Sequence, residues 1–217
     1  RLWSSERAGN YMNFTGPLEF SIVPEYKSNE MLKSRVDEFR EDIRDGVVTG
    51  DDYHKFFRSL SPYLVIEKPS FWSSLQFLFQ YQIGYMYWRY FMWNFTGRQN
   101  DIAGTYNVLN GNWISGIPFI DNLRLGNQSE ISDDARNNKA RNTYFFLPFL
   151  LGLMGLIFVY QQDPKRFWVL LLFFLFTGLA LKIYLNERPF EPRERDYALV
   201  GSFYVFALCI GLGSFYL

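Results

Sequence analysis

The stretch NERPFEPRERD, residues 186–196, packs four carboxylates, three arginines and two prolines into one short segment. An arginine presents a planar fork of donors that grips phosphate oxygens in pairs, and it does not lose its charge. Arg193 and Arg195 are therefore candidate ligands for an anionic group, with Glu194 and Asp196 as the carboxylates that would orient them. Pro189 and Pro192 keep the stretch out of a helix and favour an extended connector of fixed shape. An internal salt-bridge net, or arginines touching bulk lipid, is the plainer alternative, and the residues alone leave it open. A second group is Arg98, Asn100 and Asp101 in WNFTGRQND, suited to a polar headgroup or a sugar. There the alternative is an Arg98–Asp101 pair that merely pins a turn.

Other reactive residue types are sparse. His54 is the sole histidine and has no cysteine or second histidine at metal-ligand spacing, so no metal site is expected. Cys209 is the sole cysteine, lies within an apolar run and reads as a small buried hydrophobe, so no disulfide within the chain is possible. The Gly- and Asn-rich tract from Gly97 to Phe119 lacks G-x-G-x-x-G or Walker spacing and signals tight turns. A formal net charge of zero and the lack of a basic aromatic groove give no support to nucleic-acid binding. Nothing in the chain requires a bound organic cofactor.

The elements that must carry these groups are set by hydropathy. The overall composition is close to balanced, but residues 1–143 hold most of the charge and 144–217 are overwhelmingly apolar. Three apolar runs, 144–160, 167–185 and 197–217, predict an all-α integral membrane protein with three transmembrane helices. The first is barely long enough, the second contains only Lys182, expected to snorkel toward the nearby end, and the third is uncharged. QQDPKR joins the first two runs and the charged connector joins the last two, so residues 1–143 share a side of the membrane with the connector.

Residues 1–70 read as a polar extramembrane region with short amphipathic helices. In SNEMLKSRVDEFREDIRDG, Leu32, Val36, Phe39 and Ile43 recur at helical spacing, with Ser28 or Asn29 as cap and Gly46 as stop. DDYHKFFRSL predicts a second helix capped by Asp51. Residues 71–143 combine an aromatic helix with the Gly/Asn-rich loop, and 144–217 hold the three spans. The aromatic segment Pro69–Phe95 carries Gln76, Gln80, Gln82 and Arg89, which argues for a helix in the interface or packed against the spans, with a fourth span as the competing reading. Trp72, Trp88 and Trp93 would anchor it.

Four long stretches, YQIGYMYWRYFMWNFTGRQND, GNWISGIPFIDNLRLG, NNKARNTYFFLPFLLGLMGLIFVY and PRERDYALVGSFYVFALCIGLG, resemble a bacterial multipass membrane family long catalogued as a domain of unknown function. That family is related to the transmembrane protein O-mannosyltransferases. The resemblance covers about Gln80 to the C-terminus, while residues 1–79 match loosely through RLW and the aromatic entry at Phe71. It implies a C-type glycosyltransferase fold and transfer of a sugar, mannose being expected, from a polyprenyl-phosphate donor to Ser or Thr hydroxyls of an acceptor protein. It further implies that Arg193 and Arg195 bind the donor phosphate, with Arg98 and Asp101 lining the same side of the pocket. The catalytic carboxylate of such enzymes lies in the first extracytoplasmic loop, so this chain is expected to be a piece lacking both ends, with its base outside and no activity alone. The implied location is a bacterial inner membrane with the polar region extracytoplasmic, whereas the count of basic residues points the other way. Membrane lipid, the lipid-linked sugar and an acceptor protein are the expected partners. A transporter or flippase-like protein for a lipid-linked or anionic solute is the second reading, with Lys182 and the arginines escorting the anion, and a non-catalytic membrane scaffold the third.

Overall fold

The computed structural model describes residues 8–104, 106–187 and 196–217. The chain divides into two compact units, Arg1–Tyr81 and Gln82–Leu217.

The first unit contains helices α1 (Ala8–Thr15), α2 (Glu30–Asp45), α3 (Gly50–Leu60) and α4 (Phe71–Phe77), with a short antiparallel pair, β1 (Phe20–Ile22) and β2 (Leu64–Ile66). In α2, Leu32, Val36 and Phe39 are buried at the spacing that the amphipathic pattern predicts, and Ile43 is packed beside them. Asn29 caps this helix by accepting from the Leu32 N–H at 3.1 Å, and Gly46 ends it at φ 70°. Helix α3 departs from expectation at its start, because the cap is Thr49 and not Asp51. The Asp52 carboxylate accepts from the Thr49 N–H at 2.9 Å, closing a reciprocal capping box, and Asp51 is left to pair with Lys55 at 2.6 Å. Phe39 stacks on Phe56 with centroids 3.7 Å apart, and Phe20 meets Phe57 edge-on at 5.2 Å. The strand pair brings Phe20 into this core. It is too short to leave a period-2 pattern in the sequence.

The second unit begins within the aromatic segment. From α4 the helix continues through a π-helical stretch, Leu78–Arg89, into α5 (Tyr90–Phe95). A two-residue strand β3 (Gly97–Arg98) pairs antiparallel with β4 (Asn142–Thr143), and between them lie α6 (Pro118–Leu125) and α7 (Asp133–Arg136). We call the region between Gly97 and Thr143 the cap. Then come α8 (Leu147–Gln162), α9 (Pro164–Leu175), a π turn at Phe176–Ala180, α10 (Leu181–Leu185) and α11 (Asp196–Tyr216).

The chain is mostly helical, and among the described residues two helices, Pro164–Leu185 and Tyr197–Tyr216, are long and apolar enough to cross a membrane. The first apolar run yields only the 16 residues of α8. At about 1.5 Å per residue that is roughly 24 Å, short of a hydrocarbon core of about 30 Å. Asp163 both ends α8 and caps α9, accepting from the Lys165 and Arg166 N–H groups at 3.0 and 3.2 Å, which turns the chain back. Helices α8 and α11 run parallel at close range: Gly152 faces Phe206, and Gly155 faces Cys209. The helix between them in sequence runs antiparallel to α11, with Gly178 against Ser202 and Gly201 against Thr177.

The aromatic segment packs along α11. Tyr87 Oη and Ser202 Oγ lie 2.8 Å apart, Phe91 meets Phe206 at 4.7 Å, and Tyr90 stacks on Phe203 at 5.7 Å. Gln82 and Arg89 are buried inside protein and do not form a wet face. The polar residues that argue for an interfacial helix are thus partly explained by internal partners.

Candidate functional site

Two polar assemblies in the second unit are built well enough to bear on function. The first flanks the charged connector. Lys182, the one charge in its apolar run, is 3% exposed and does not snorkel. Its Nζ donates to Glu187 Oε2 at 2.5 Å, and Glu187 is itself 9% exposed. Asn186 between them takes a left-handed conformation at φ 43°, ending α10 and swinging Glu187 back onto the helix. Gln82, from the π-helical stretch, donates to Asn186 Oδ1 at 2.8 Å. A charge taken out of water costs several kcal/mol in practice, and pairing with good geometry offsets it. The two partners are only five positions apart in sequence, but a lysine in an apolar run shows its cost and not its partner.

Arg193, Glu194 and Arg195 lie outside the described residues. Asp196 opens α11, and its side chain is outside them as well.

The second assembly is the cap. Arg89 is buried, donating through Nε to the Tyr85 carbonyl at 3.2 Å and through Nη1 to the Gly111 carbonyl, with its guanidinium 4.4 Å over the Tyr85 ring. Asn100 brackets the same turn: its Oδ1 accepts from the Gly111 N–H at 2.9 Å and its Nδ2 donates to Asn110 Oδ1 at 2.9 Å. Gln99 Oε1 accepts from the backbone and side chain of Asn112 at 3.1 and 2.9 Å. Gly111 must be glycine, because φ is 68° and an added Cβ would sit 2.5 Å from Gly104 N. The Gly/Asn tract is therefore a folded, internally bonded turn system, and Asn100 is committed to holding it.

A buried carboxylate organises the other half of the cap. Asp121, 4% exposed, accepts from the Ser115 N–H at 2.8 Å, Ser115 Oγ at 3.0 Å and the Gly116 N–H at 2.7 Å. Arg124 lies 3.4 Å over the Trp113 ring and donates to the Trp113 carbonyl at 3.1 Å, while Arg141 donates to Gln128 Oε1 at 3.0 Å. Burial pushes both guanidinium pKa values down, and the Asp121 carboxylate opposes that shift for each. Asp121 drew no notice in sequence, although Pro118 opening α6 and the preceding Ser115–Gly116 turn mark its place.

Arg98 and Asp101 are not brought together. Arg98 lays its guanidinium 4.0 Å over the Trp93 ring, and Asp101 is exposed, with no ion pair between them among the described residues. The turn is pinned by Asn100 and Arg89, so the alternative reading, a turn-pinning Arg98–Asp101 pair, has no structural task left to perform. His54 lies in α3 of the first unit, and no group of three potential metal ligands occurs among the described residues. Comparisons of the chain with protein-family models, with curated proteins and with solved structures return no match.

Proposed function

We propose that the chain is part of a membrane glycosyltransferase that takes a sugar from a polyprenyl-phosphate donor and transfers it to protein hydroxyls. In this reading Arg193 and Arg195 hold the donor phosphate, and α8 is a third, short crossing beside the two membrane-length helices. The polar region then faces the extracytoplasmic side of a bacterial inner membrane. An arginine pair would stabilise the departing lipid phosphate, while a base outside this chain removes the proton from the attacking Ser or Thr hydroxyl.

The sequence resemblance suggests the reaction, and one geometric observation supports the placement of its anion site. Glu187, the residue that leads into the arginines, is held in a buried pair with Lys182 at the end of one membrane-length helix. The far side of the connector is the first turn of the other. The connector's two described ends are thus the ends of two membrane-length helices, and if both cross the bilayer this is the level of the lipid phosphates.

The test uses the full-length protein in lipid with a labelled polyprenyl-phosphate sugar and an acceptor protein. Transfer is expected, and Arg195→Ala should reduce donor binding while expression and insertion stay near normal. Arg195→Lys should already weaken transfer, since a point charge replaces a bidentate contact. Movement of the lipid-linked sugar between leaflets without transfer would replace this reading with the transporter. Recovery of transfer in Arg195→Ala combined with Asp196→Ala would reduce the cluster to a salt-bridge net.

A further inference from the structure

The cap contains four arginines, and Arg89 reaches into it from the preceding helix; the five are not used alike. Arg89, Arg124, Arg136 and Arg141 each donate to a protein acceptor: the Tyr85 carbonyl, the Trp113 carbonyl, the Ser129 carbonyl and Gln128 Oε1. Arg98 does not. Its backbone N–H donates to Asn142 Oδ1 at 3.1 Å, but its guanidinium has no acceptor among the described residues. Its Nε is sealed from solvent without a hydrogen bond, against the Trp93 ring. A buried donor left without an acceptor is costly, and more so on a charged group. The ring compensates part of that cost through its quadrupole and fixes the plane of the guanidinium. What remains is a positioned, partly exposed cation whose terminal nitrogens meet no acceptor among the described residues.

Its location limits what can meet it. Arg98 follows the aromatic run that packs along α11, a helix long enough to span a membrane. Its strand pairs with Asn142–Thr143, a few residues before the apolar helix α8 begins at Leu147. Trp93, the ring beneath it, belongs to a residue type that prefers the headgroup layer. The abundant anion at that depth is the phosphodiester of membrane lipid, which the planar guanidinium fork matches in shape and charge.

We propose that Arg98, braced on Trp93, is a binding site for the phosphate of a lipid headgroup. The site does not depend on the transferase reading and would serve equally in a transporter or a scaffold. Asp101 takes no part in it, so the two residues that sequence pairs together have separate roles.

The test uses the full chain in maltoside micelles, which carry no phosphate, stripped of copurifying lipid. Dihexanoyl-phosphatidylglycerol, dihexanoylglycerol and inorganic phosphate are titrated separately, and bound ligand is counted by native mass spectrometry. The phospholipid should be retained and the uncharged diacylglycerol should not. Arg98→Gln should weaken phospholipid retention at least about tenfold, the scale of a hydrogen bond to a charged group, with an unchanged melting curve. Arg98→Lys, which keeps the charge without fork or stacking, should fall between, and it decides the matter if the Gln variant does not fold. Equal retention by wild type and Arg98→Lys together with Arg98→Gln would overturn the site. Equal retention of the diacylglycerol would assign binding to the acyl chains and overturn it too. Competition by inorganic phosphate at the same concentration as the lipid would remove the headgroup from the assignment.

Discussion

The two units bury their helices by different rules. In the first, α2 carries a stripe of Leu32, Val36 and Phe39 on an otherwise charged helix, so hydropathy alone says which face turns inward. In the second, α11 is apolar all round, and hydropathy says nothing about its orientation. There the buried positions are Leu199, Ser202, Val205, Phe206, Cys209 and Gly213, chosen by size and shape. Where water surrounds a helix, the pattern of polarity selects the contact face. Where the surroundings are themselves apolar, close approach at small residues does so. The same contrast governs charge: α3 settles its charges locally, through the Thr49–Asp52 box and the Asp51–Lys55 pair, whereas the second unit withdraws Lys182, Arg89 and Asp121 into protein.

The largest effects should come from each unit's buried anchors. Phe57, fully buried, fills the aromatic core of the first unit, and Phe57→Ala should cost about 3–5 kcal/mol. Loss of hydrogen-exchange protection in α2 and α3 would register it. Lys182→Met should cost a comparable amount, about 3–5 kcal/mol, because it strands the Glu187 carboxylate. Lys182→Met with Glu187→Leu should recover most of that loss in a detergent unfolding titration. Failure to recover would mean that the charges themselves are required there.

Next in size is the test of packing by small residues. A Cβ at Gly155 would overlap the Cys209 carbonyl, so Gly155→Ala should push α8 from α11 and cost about 1–3 kcal/mol. Gly211, on the same helix α11, has open space around it. Gly211→Ala should be neutral or stabilise by up to about 1 kcal/mol through helix propensity. Equal effects at both glycines, measured by thermal unfolding in one detergent, would break the claim that close approach sets the contact face.

These contrasts explain what sequence reveals and what it hides. Helix α2 is legible to its ends because polarity, the Asn29 cap and the Gly46 stop all agree. The apolar helices are legible as lengths, but α8 starts late, since Phe145 and Phe146 both take left-handed backbone conformations at φ 53° and 60°. Two bulky residues in that region cost about 1–2 kcal/mol each, a corner that no pattern announces. It is held by the Tyr144 N–H on the Thr96 carbonyl at 2.9 Å and the Phe145 N–H on the Ser115 carbonyl at 3.0 Å. In the cap, Arg98 and Asn100 are visible as polar residues, yet their uses diverge because Trp93 and Gly111 decide them from elsewhere in the chain. A residue's type shows what it costs to bury, and only the fold shows what meets it.

The smallest expected effect tests the local, solvated style of the first unit. Hydrogen bonds from the Thr49 side chain and backbone hold the Asp52 carboxyl below its usual value, with Lys55 adding a minor attraction and slight burial opposing. A carboxyl whose folded pKa is depressed adds stability that is present above its unfolded pKa, near 3.9, and is lost as pH falls through the folded value. The contribution of Asp52 should thus be constant at neutral pH and should fade below about pH 4. The group is largely exposed, so screening keeps it small, and Asp52→Asn should cost only about 0.5 kcal/mol at pH 7. The gap between wild type and Asp52→Asn, measured by thermal unfolding from pH 7 to pH 2, should close as the acid protonates. A gap that stays constant through pH 2 would show that the Thr49–Asp52 box works by hydrogen bonding alone. A gap of several kcal/mol at pH 7 would show that this unit, too, relies on charges far more than its exposed surface allows.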